Sequence, residues 1–596
     1  MNSTVGDLGR NAAAIVEWTS RAAAAGASVV VFPEMMLTGY PVEDLALRAS
    51  FVEASIEALH RTAADLATAG LGHLAVVTGY LDRRPGIQPR VGLPAGAPLD
   101  AAAVLHGGKV VVTSAKHHLP NYGVFDEYRI FVPGDVLPVF RTASRSGEPV
   151  DVAVVICEDL WQDGGPVAVA REARASLVVV PNASPYERDK GDTRLALCRR
   201  RSAEAGAPLA YVNMIGGQDE LVFDGDSIIV DDAGNLLARG PQFEEALVVA
   251  DLEIAAAPPA PPGDALADAH DGTTMTIRRL ELPTVHDPAS GSASRREGAP
   301  ADHPIWPRLS GPAEVYAALV TGVRDYVVKN EFGSVIIALS GGIDSALTAT
   351  IAADAIGPDR VHVVLMPSSY SSDHSVADAE DLVKRQGLRA RTIPIAPMVA
   401  AFEDRLHLEG LAAENLQARV RGMILMSLSN AESHLVLTTG NKSEIATGYS
   451  TLYGDSAGGF APIKDVLKTR VWELARWRNE QAAQAGQVQP IPENSIIKPP
   501  SAELRPGQLD TDSLPDYSVL DPLLDAYVGQ DLGAAELIAA GFDPALVERV
   551  IELVDRAEYK RRQYPPGPKI TGKNFGRDRR LPVTNRWHEP VGRLKS

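Results

Sequence analysis

Residues 334–357 read SVIIALSGGIDSALTATIAADAIG. Apolar β-formers run from Val335 to Leu339, a Gly-Gly turn flanked by serines follows, and an alanine-rich stretch with helix-forming composition comes next. The pattern predicts a buried strand that passes through a tight turn straight into a helix. Toward the C-terminus VHVVLMP, ARTIPI and HLVLTTG read as further strands separated by helical patterns. Residues 306–596 are therefore expected to form a parallel-sheet α/β domain. Toward the N-terminus SVVVF, HLAVVTGY, VAVVIC, SLVVVP and PLAYVNM alternate with helical stretches, so residues 1–255 predict another α/β domain. Between them, AAAPPAPPGDALADAHDGTT and HDPASGSASRREGAPADHP are rich in Pro, Ala, Gly and Ser without sustained periodicity. Residues 256–305 are expected to be a connecting segment.

Composition agrees with two domains: the chain has 596 residues, 45% of them hydrophobic, at about 150 residues per domain. Its two cysteines, Cys157 and Cys198, cannot supply a disulfide framework, and MNSTVGDLGR has no charged-then-apolar leader pattern. Both features point to a reducing, cytoplasmic compartment. No stretch approaches the roughly 18 uninterrupted apolar residues of a membrane helix. A net charge of -19 argues against nucleic acid as a principal partner, so an anionic substrate needs a local basic site.

VVICEDLW, residues 154–161, delivers Cys157 to the end of an apolar strand with Glu158 and Asp159 beside it. A cysteine in that setting is ordinarily a small buried hydrophobe. Two other strand ends change the reading: FPE puts Glu34 beyond SVVVF, and KHHLPNYGVFDEYR puts Lys116 beyond another apolar run. An ammonium near the sulfur favours the thiolate against the neighbouring acids, and a glutamate in reach can shuttle the proton. Cys198, in the helical pattern TRLALCRRRSAEAG, has no comparable companions and reads as structural.

FPE, KHHLPNYGVFDEYR and CEDLW resemble the Glu-Lys-Cys motifs of the nitrilase, or carbon-nitrogen hydrolase, superfamily, in its glutamine-hydrolysing branch. The resemblance implies an αββα sandwich in which Cys157 attacks an amide carbonyl, Glu34 is the general base and Lys116 stabilises the tetrahedral intermediate. NASPYERDKGD is similar to the segment that shapes the glutamine pocket, which implies Ser184 and Lys190, with Tyr122 from PNYG, as substrate contacts. The family's sandwich normally opens with a strand before the GDL segment, whereas here VGDLGRN comes almost at once. The expectation is that this first strand is missing, through a misassigned start or because the sheet forms without it.

In SGGIDS the glycines let backbone N–H groups approach a phosphate chain, Ser340 and Ser345 add hydroxyls, and the helix N-terminus adds a favourable dipole. Asp344 can hold a magnesium ion. The loop resembles that of the ATP-pyrophosphatases, implying ATP contacts from Ser340, Gly341, Gly342, Asp344 and Ser345. HLVLTTGNKSEIATGYSTLYGDSAGGFAPIKDVLKT is similar to the NAD synthetase signature. That implies Glu444 with Asp344 on Mg2+, Thr439 and Lys468 on ATP, and Asn415, Glu444, Tyr449 and Asp455 around deamido-NAD. KPPSAELRPGQLDTDSLPDY resembles the mobile segment of that family, with Ser501 as a phosphate contact. YKRRQYPPGPKITGKNFGRDRR carries eight basic residues and one acid, either a solvated tail or a seat for an anionic dinucleotide, with Lys573 as its candidate contact.

The arrangement as a whole resembles the glutamine-dependent NAD synthetases. It implies glutamine, ATP and deamido-NAD as substrates, an ammonia tunnel and a homo-octamer. Glutamine-fed GMP or asparagine synthetases use other glutaminase architectures, an N-terminal cysteine or a Cys-His-Glu triad. A tRNA-thiolating enzyme needs further reactive cysteines, and only Cys198 remains. A dinucleotide sensor without turnover would not require a complete set of motif residues.

Overall fold

The computed structural model describes residues 1–86, 92, 94, 96–188, 190–285, 304–587 and 589. The chain divides into two compact units: Met1–Gln218 with Phe223–Leu309, and Asp219–Val222 with Ser310–Ser596.

In the first unit, helices α1 (Leu8–Ala24) and α2 (Ala49–Thr68) accompany a four-stranded sheet. Its strands are β1 (Val29–Val31), β2 (Ala75–Arg83), β3 (Pro98–His106) and β4 (Lys109–Ala115), hydrogen-bonded in that order. Beyond β5 (Val136–Ala143), β6 (Pro149–Val154), α3 (Gly165–Glu172), β7 (Leu177–Asn182), α4 (Lys190–Ala205) and β8 (Leu209–Asn213) come the short strands β9 (Ile215–Gln218) and β10 (Leu221–Asp224). The strands β11 (Ile228–Val230), β12 (Leu236–Arg239), β13 (Gly263–Asp268) and β14 (Thr274–Glu281) follow. An eight-stranded sheet has the order β12-β11-β8-β7-β6-β5-β14-β13.

The period-2 alternation of these strands explains the layering. Ala75, Val77, Ala102 and Val104 of the small sheet share a core with Val152, Val154 and Val179 of the large one. Their neighbours Val76, Ala101 and Leu105 turn the other way, onto Ile15, Leu59 and Leu66 of α1 and α2. Ala153 and Val178 face Val169, Leu197 and Cys198 of α3 and α4. The result is an αββα sandwich. Cys198 is buried in the outer layer, as its helical setting predicts.

The segment expected to be a connector proves to be partly sheet. β13 and β14 form an antiparallel hairpin, and β14 pairs in parallel with β5, Ile277 opposite Leu137. Strand-forming alternation in ALAD and TMTIRRLE is masked by the Pro, Ala and Gly around it, and its burial comes from a distant strand. Residues 286–303 of the expected connector lie outside the described residues. At the other end, the Met1 carbonyl accepts the Ile215 amide at 3.0 Å, and among the described residues the first strand is β1.

In the second unit, β15 (Val335–Ala338), β16 (Val361–Leu365), β17 (Arg389–Thr392) and β18 (Leu435–Leu437) are all parallel, in the order β17-β16-β15-β18. Successive strands thus run outward from β15 on one side, and β18 returns to its other side. The reversal creates a switch point between β15 and β18, where ligands bind beyond the carboxyl ends of such strands. Both sequence-predicted nucleotide segments, 340–345 and 438–444, leave these two strands. Among the described residues no helix is long and apolar enough to cross a membrane.

Candidate active site

The first centre gathers three strand ends of the sandwich: Glu34 beyond β1, Lys116 beyond β4 and Cys157 beyond β6. Lys116 Nζ lies 2.8 Å from Glu34 Oε1, 2.9 Å from Glu127 Oε1 and 3.3 Å from Asp100 Oδ2. All four side chains are buried. Tyr40 Oη donates to Glu127 Oε1 at 3.0 Å, and the Ala183 amide donates to Glu34 Oε2 at 2.7 Å. Cys157 stands at φ 44°, a left-handed conformation that costs a non-glycine residue free energy and clusters at functional sites. It opens the 3-10 turn Cys157–Leu160 and sets the thiol within hydrogen-bonding reach of Glu34.

One ammonium cannot ionise three buried carboxyls. Burial opposes charge on Glu34, yet Lys116 and hydrogen bonds from Asp100 and Cys157 hold it below the usual carboxylate range. Burial and the charge on Glu34 push the Asp100 carboxyl well above the usual carboxylate range. Burial raises Glu127 to about 7. For Cys157, burial and then Glu34 push the thiol well above its ordinary value, and Lys116 only partly opposes them. The expected pull of Lys116 toward the thiolate is present but outweighed, because the lysine's field is shared with the acids around it. The pair is arranged as thiol and carboxylate, a nucleophile with its proton acceptor beside it.

The acids following the cysteine are occupied elsewhere. Asp159 Oδ1 accepts the backbone amides of His117 at 3.0 Å and His118 at 2.7 Å. Glu158 accepts Tyr122 Oη at 3.0 Å and Gln162 Nε2 at 2.7 Å. Tyr122 is thereby placed beside the cysteine turn with its ring exposed. The Ser184 amide donates to Asn213 Oδ1 at 2.9 Å, one residue from the amide that holds Glu34. Lys190 Nζ donates to Pro185 O at 3.2 Å and lies 5.5 Å from the centre of the Trp161 ring. All three sequence-predicted glutamine contacts thus sit on segments adjoining Cys157. Sequence patterning did not single out Asp100 or Glu127. The signal available for Asp100 was one acid within the uniformly buried strand PLDAAAVLH.

The second centre lies at the β15/β18 switch point. Gly341, at φ 83°, brings its backbone so near Ser375 that a Cβ would lie 2.1 Å from the Ser375 carbonyl oxygen. Only glycine permits that turn. Ser340 and Ser345 hydroxyls lie 3.1 Å apart, Ser340 Oγ accepts the Gly342 amide at 3.2 Å, and α5 (Ile343–Ile356) begins immediately after Gly342. Across the loop, Asn441 caps the helix Lys442–Thr447 and donates to Asp344 Oδ1 at 2.9 Å. Lys468 Nζ bonds Asp344 Oδ2 and lies 3.3 Å from Glu444 Oε1. The expected metal pair is therefore brought together, with Lys468 bridging it. Burial pushes Glu444 up to about 8 against the pull of Lys468.

The remaining candidates are placed as follows. Asn415 Oδ1 accepts Thr451 Oγ1 at 2.8 Å, and Asp455 Oδ1 accepts the Thr451 amide at 2.6 Å. Tyr449 and Thr439 lie on the two ends of the segment that carries Glu444. Ser501 donates to Gln508 O within its own loop, which Glu503 clasps to Ser372 and Ser375, each at 2.7 Å. The basic C-terminal stretch is not a solvated tail. Lys573 pairs with Asp531, Arg561 with Glu558, Arg579 with Asp555 and Glu558, and Lys569 with Asp578. Three of those acids lie outside the quoted stretch, which is why its local charge overstated its availability.

Two centres of different chemistry on one chain define the class: a carbon-nitrogen hydrolase half and a NAD synthase half. The carbon-nitrogen hydrolase family matches residues 1–261 and the NAD synthase family residues 315–564. The glutamine-dependent NAD(+) synthetase of Thermotoga maritima is 40% identical over 99% of this chain and 98% of its own. That of Rhodobacter capsulatus is 41% identical with the same coverage. The structure of the glutamine-dependent NAD+ synthetase from Acinetobacter baumannii in complex with ADP superposes with a TM-score of 0.67 at 37% identity, covering 99% of this chain and 98% of that one. The chain belongs to the glutamine-dependent NAD(+) synthetases.

Proposed function

We propose that this chain hydrolyses glutamine at Cys157 and uses the ammonia to convert deamido-NAD to NAD at the expense of ATP, releasing AMP and pyrophosphate. The observation that carries the reading is the convergence of Cys157, Glu34 and Lys116 in one buried centre, in a chain whose other unit holds a glycine-turn nucleotide loop. The first unit, including the hairpin β13–β14, is the glutaminase part and the second unit the synthetase part.

Glu34 takes the thiol proton as Cys157 adds to the glutamine amide carbon, and Lys116 supplies the positive charge near the developing oxyanion. Returned to the leaving nitrogen, the same proton releases ammonia, and water then frees glutamate. Tyr122, Ser184 and Lys190 hold the substrate. In the second unit the amides and hydroxyls of residues 340–345 bear the phosphates of ATP while the carboxylate of deamido-NAD attacks the α-phosphorus. Thr439, Lys468 and Ser501 contribute further ATP contacts, and Asn415, Tyr449, Asp455 and Lys573 seat the dinucleotide. Asp344 and Glu444 present only carboxylate oxygens, the hard donors that Mg2+ takes. A bound Mg2+ supplies Lewis-acid neutralisation of the phosphate charge.

Ammonia is mostly protonated in neutral water, so a shielded passage between the sites preserves its nucleophilicity. A cytoplasmic homo-octamer with such a passage is part of this proposal. Two buried, unpaired cysteines support the reducing compartment, and the octamer and passage rest on the family resemblance. The test is to incubate purified protein with deamido-NAD, ATP, Mg2+ and glutamine and to quantify NAD, AMP and glutamate together. Formation of the three in equal amounts supports the reading; glutamate without AMP overturns it.

Asp344→Asn and Glu444→Gln are each expected to lower AMP release at least about tenfold with glutamine or ammonia as nitrogen source, since each removes one charge from the pair facing Lys468. The deficit should shrink as Mg2+ is raised. A variant with wild-type AMP release at limiting Mg2+ removes that residue from the assignment.

A further inference from the structure

The hairpin β13–β14 does more than extend a sheet: its turn carries Asp271 to a pair of histidines that follows the catalytic lysine directly in sequence. His117 Nε2 lies 2.8 Å and His118 Nε2 3.2 Å from Asp271 Oδ2. The two rings are 4.7 Å apart and tilted by 73°, so both Nε2 atoms converge on one point beside the carboxylate. All three ligand atoms lie within 4.8 Å of one another. Ligands about 2.0–2.1 Å from a tetrahedral zinc are separated by roughly 3.3 Å, which the His118 distance matches and the His117 contact reaches by opening about half an ångström from its hydrogen-bonded 2.8 Å.

The outer partners are also in place. His117 Nδ1 lies 2.7 Å from the Gly134 carbonyl oxygen, and His118 Nδ1 lies 3.7 Å from Asp159 Oδ1 and is otherwise buried without a partner. A metal-binding imidazole characteristically turns its second nitrogen to a carbonyl or carboxylate in this way. Asp271 is itself fixed, its other oxygen accepting the Thr273 amide at 2.9 Å and Thr273 Oγ1 at 2.7 Å. Space for the His118 ring depends on Gly165, where a Cβ would fall 2.3 Å from Cε1.

Among the described residues two further clusters of metal-ligating side chains are each paired with a cation of the protein. Glu34, Asp100 and Glu127 surround Lys116, and Glu432, near His362 and His434, is paired with Arg391 at 2.6 Å. Among the described residues no lysine or arginine pairs with Asp271, whose carboxylate contacts the two histidines and Thr273.

We propose that His117 Nε2, His118 Nε2 and the Asp271 carboxylate form a site for one divalent transition-metal ion, with Zn2+ as the ion their donors and spacing suit. Two imidazoles and one carboxylate favour zinc over magnesium or calcium, and three protein ligands leave a fourth position for water. The ion replaces the proton shared between His117 Nε2 and Asp271 Oδ2. It ties the hairpin to the segment whose amides at His117 and His118 hold Asp159, and so braces the turn that carries Cys157.

The experiment uses the full chain, stripped with a chelator and titrated with Zn2+ against a chromogenic competitor, and with Co2+ followed by visible absorption. One Zn2+ per chain is expected, with the intense Co2+ bands of a four-coordinate centre and a rise in Tm on zinc addition. Asp271→Asn keeps the turn's shape, and His118→Phe keeps a ring over Gly165. Each should weaken zinc at least about 100-fold, the upper end of the loss caused by removing even an outer partner. The same stoichiometry is expected in Cys157→Ala. Absence of stoichiometric zinc in the folded wild type overturns the proposal. So does affinity unchanged in both site variants, or zinc that disappears with Cys157.

Discussion

Cys157→Ala is expected to abolish glutamine-supported NAD formation, by at least about a thousandfold, and to leave ammonia-supported formation within about twofold of wild type. The thiol forms the covalent bond through which the amide is cleaved, and no neighbouring group replaces it. Glu34 and Lys116 remain, but neither can take the acyl group. The substitution removes one sulfur from the edge of a core cluster that includes Ile156, Val179 and Ala210, so the cost is confined to a small cavity. Ammonia enters the reaction after this step, and the nucleotide loop belongs to the other unit. The measurement is NAD production with each nitrogen source, alongside the assembly state. Loss of both activities in a folded, assembled variant would mean that the chemistry is not divided between the units as proposed.

The αββα layering and the parallel second sheet were legible because both rest on local alternation: Val76 and Val77 face opposite layers, and β15 reads directly into α5. Glu34, Lys116 and Cys157 were legible for the same reason, each marking a strand end. Three things were not. The β13–β14 hairpin owes its existence to pairing with β5, more than 120 residues earlier, and the Pro- and Gly-rich surroundings hid it. The charge state of the centre was misread because Asp100 and Glu127 converge on Lys116 only through the fold. The acids that neutralise the basic C-terminal stretch, Asp531, Asp555 and Glu558, precede it in the chain and meet it only in space. Each failure concerns a balance of charge or hydrogen bonds set by residues distant in sequence.

Lys116→Met is the second large effect, and its sign depends on that balance. In the wild type the Cys157 thiol is already pushed up by burial and by Glu34, with Lys116 the main group opposing them. Removing the ammonium therefore raises the thiol further under alkaline conditions, where Glu34 is ionised. It also removes the charge that keeps Glu34 ionised against its burial, so Glu34 should gain a proton near neutral pH and cease to be an acceptor. The oxyanion loses its cation at the same time. Loss of one oxyanion donor alone costs on the order of a hundredfold to a thousandfold in rate, so glutaminase turnover should fall at least that far while ammonia-supported synthesis persists. Orphaning a buried charge can cost about 3–5 kcal/mol. Because the orphaned acids gain stability by protonation, that penalty should be smallest at low pH and grow as pH rises through their elevated folded-state pKa values. Cys157 alkylation, followed against pH with Cys198 replaced, is expected to be slow at neutral pH in the wild type and to require more alkaline conditions still in Lys116→Met. Glu34→Gln removes the acid that raises the thiol and so should shift alkylation the opposite way, toward lower pH, while abolishing turnover through loss of the base. A common alkylation profile for the three proteins, with glutaminase activity undiminished in Lys116→Met, would return Cys157 to the class of inert core thiols.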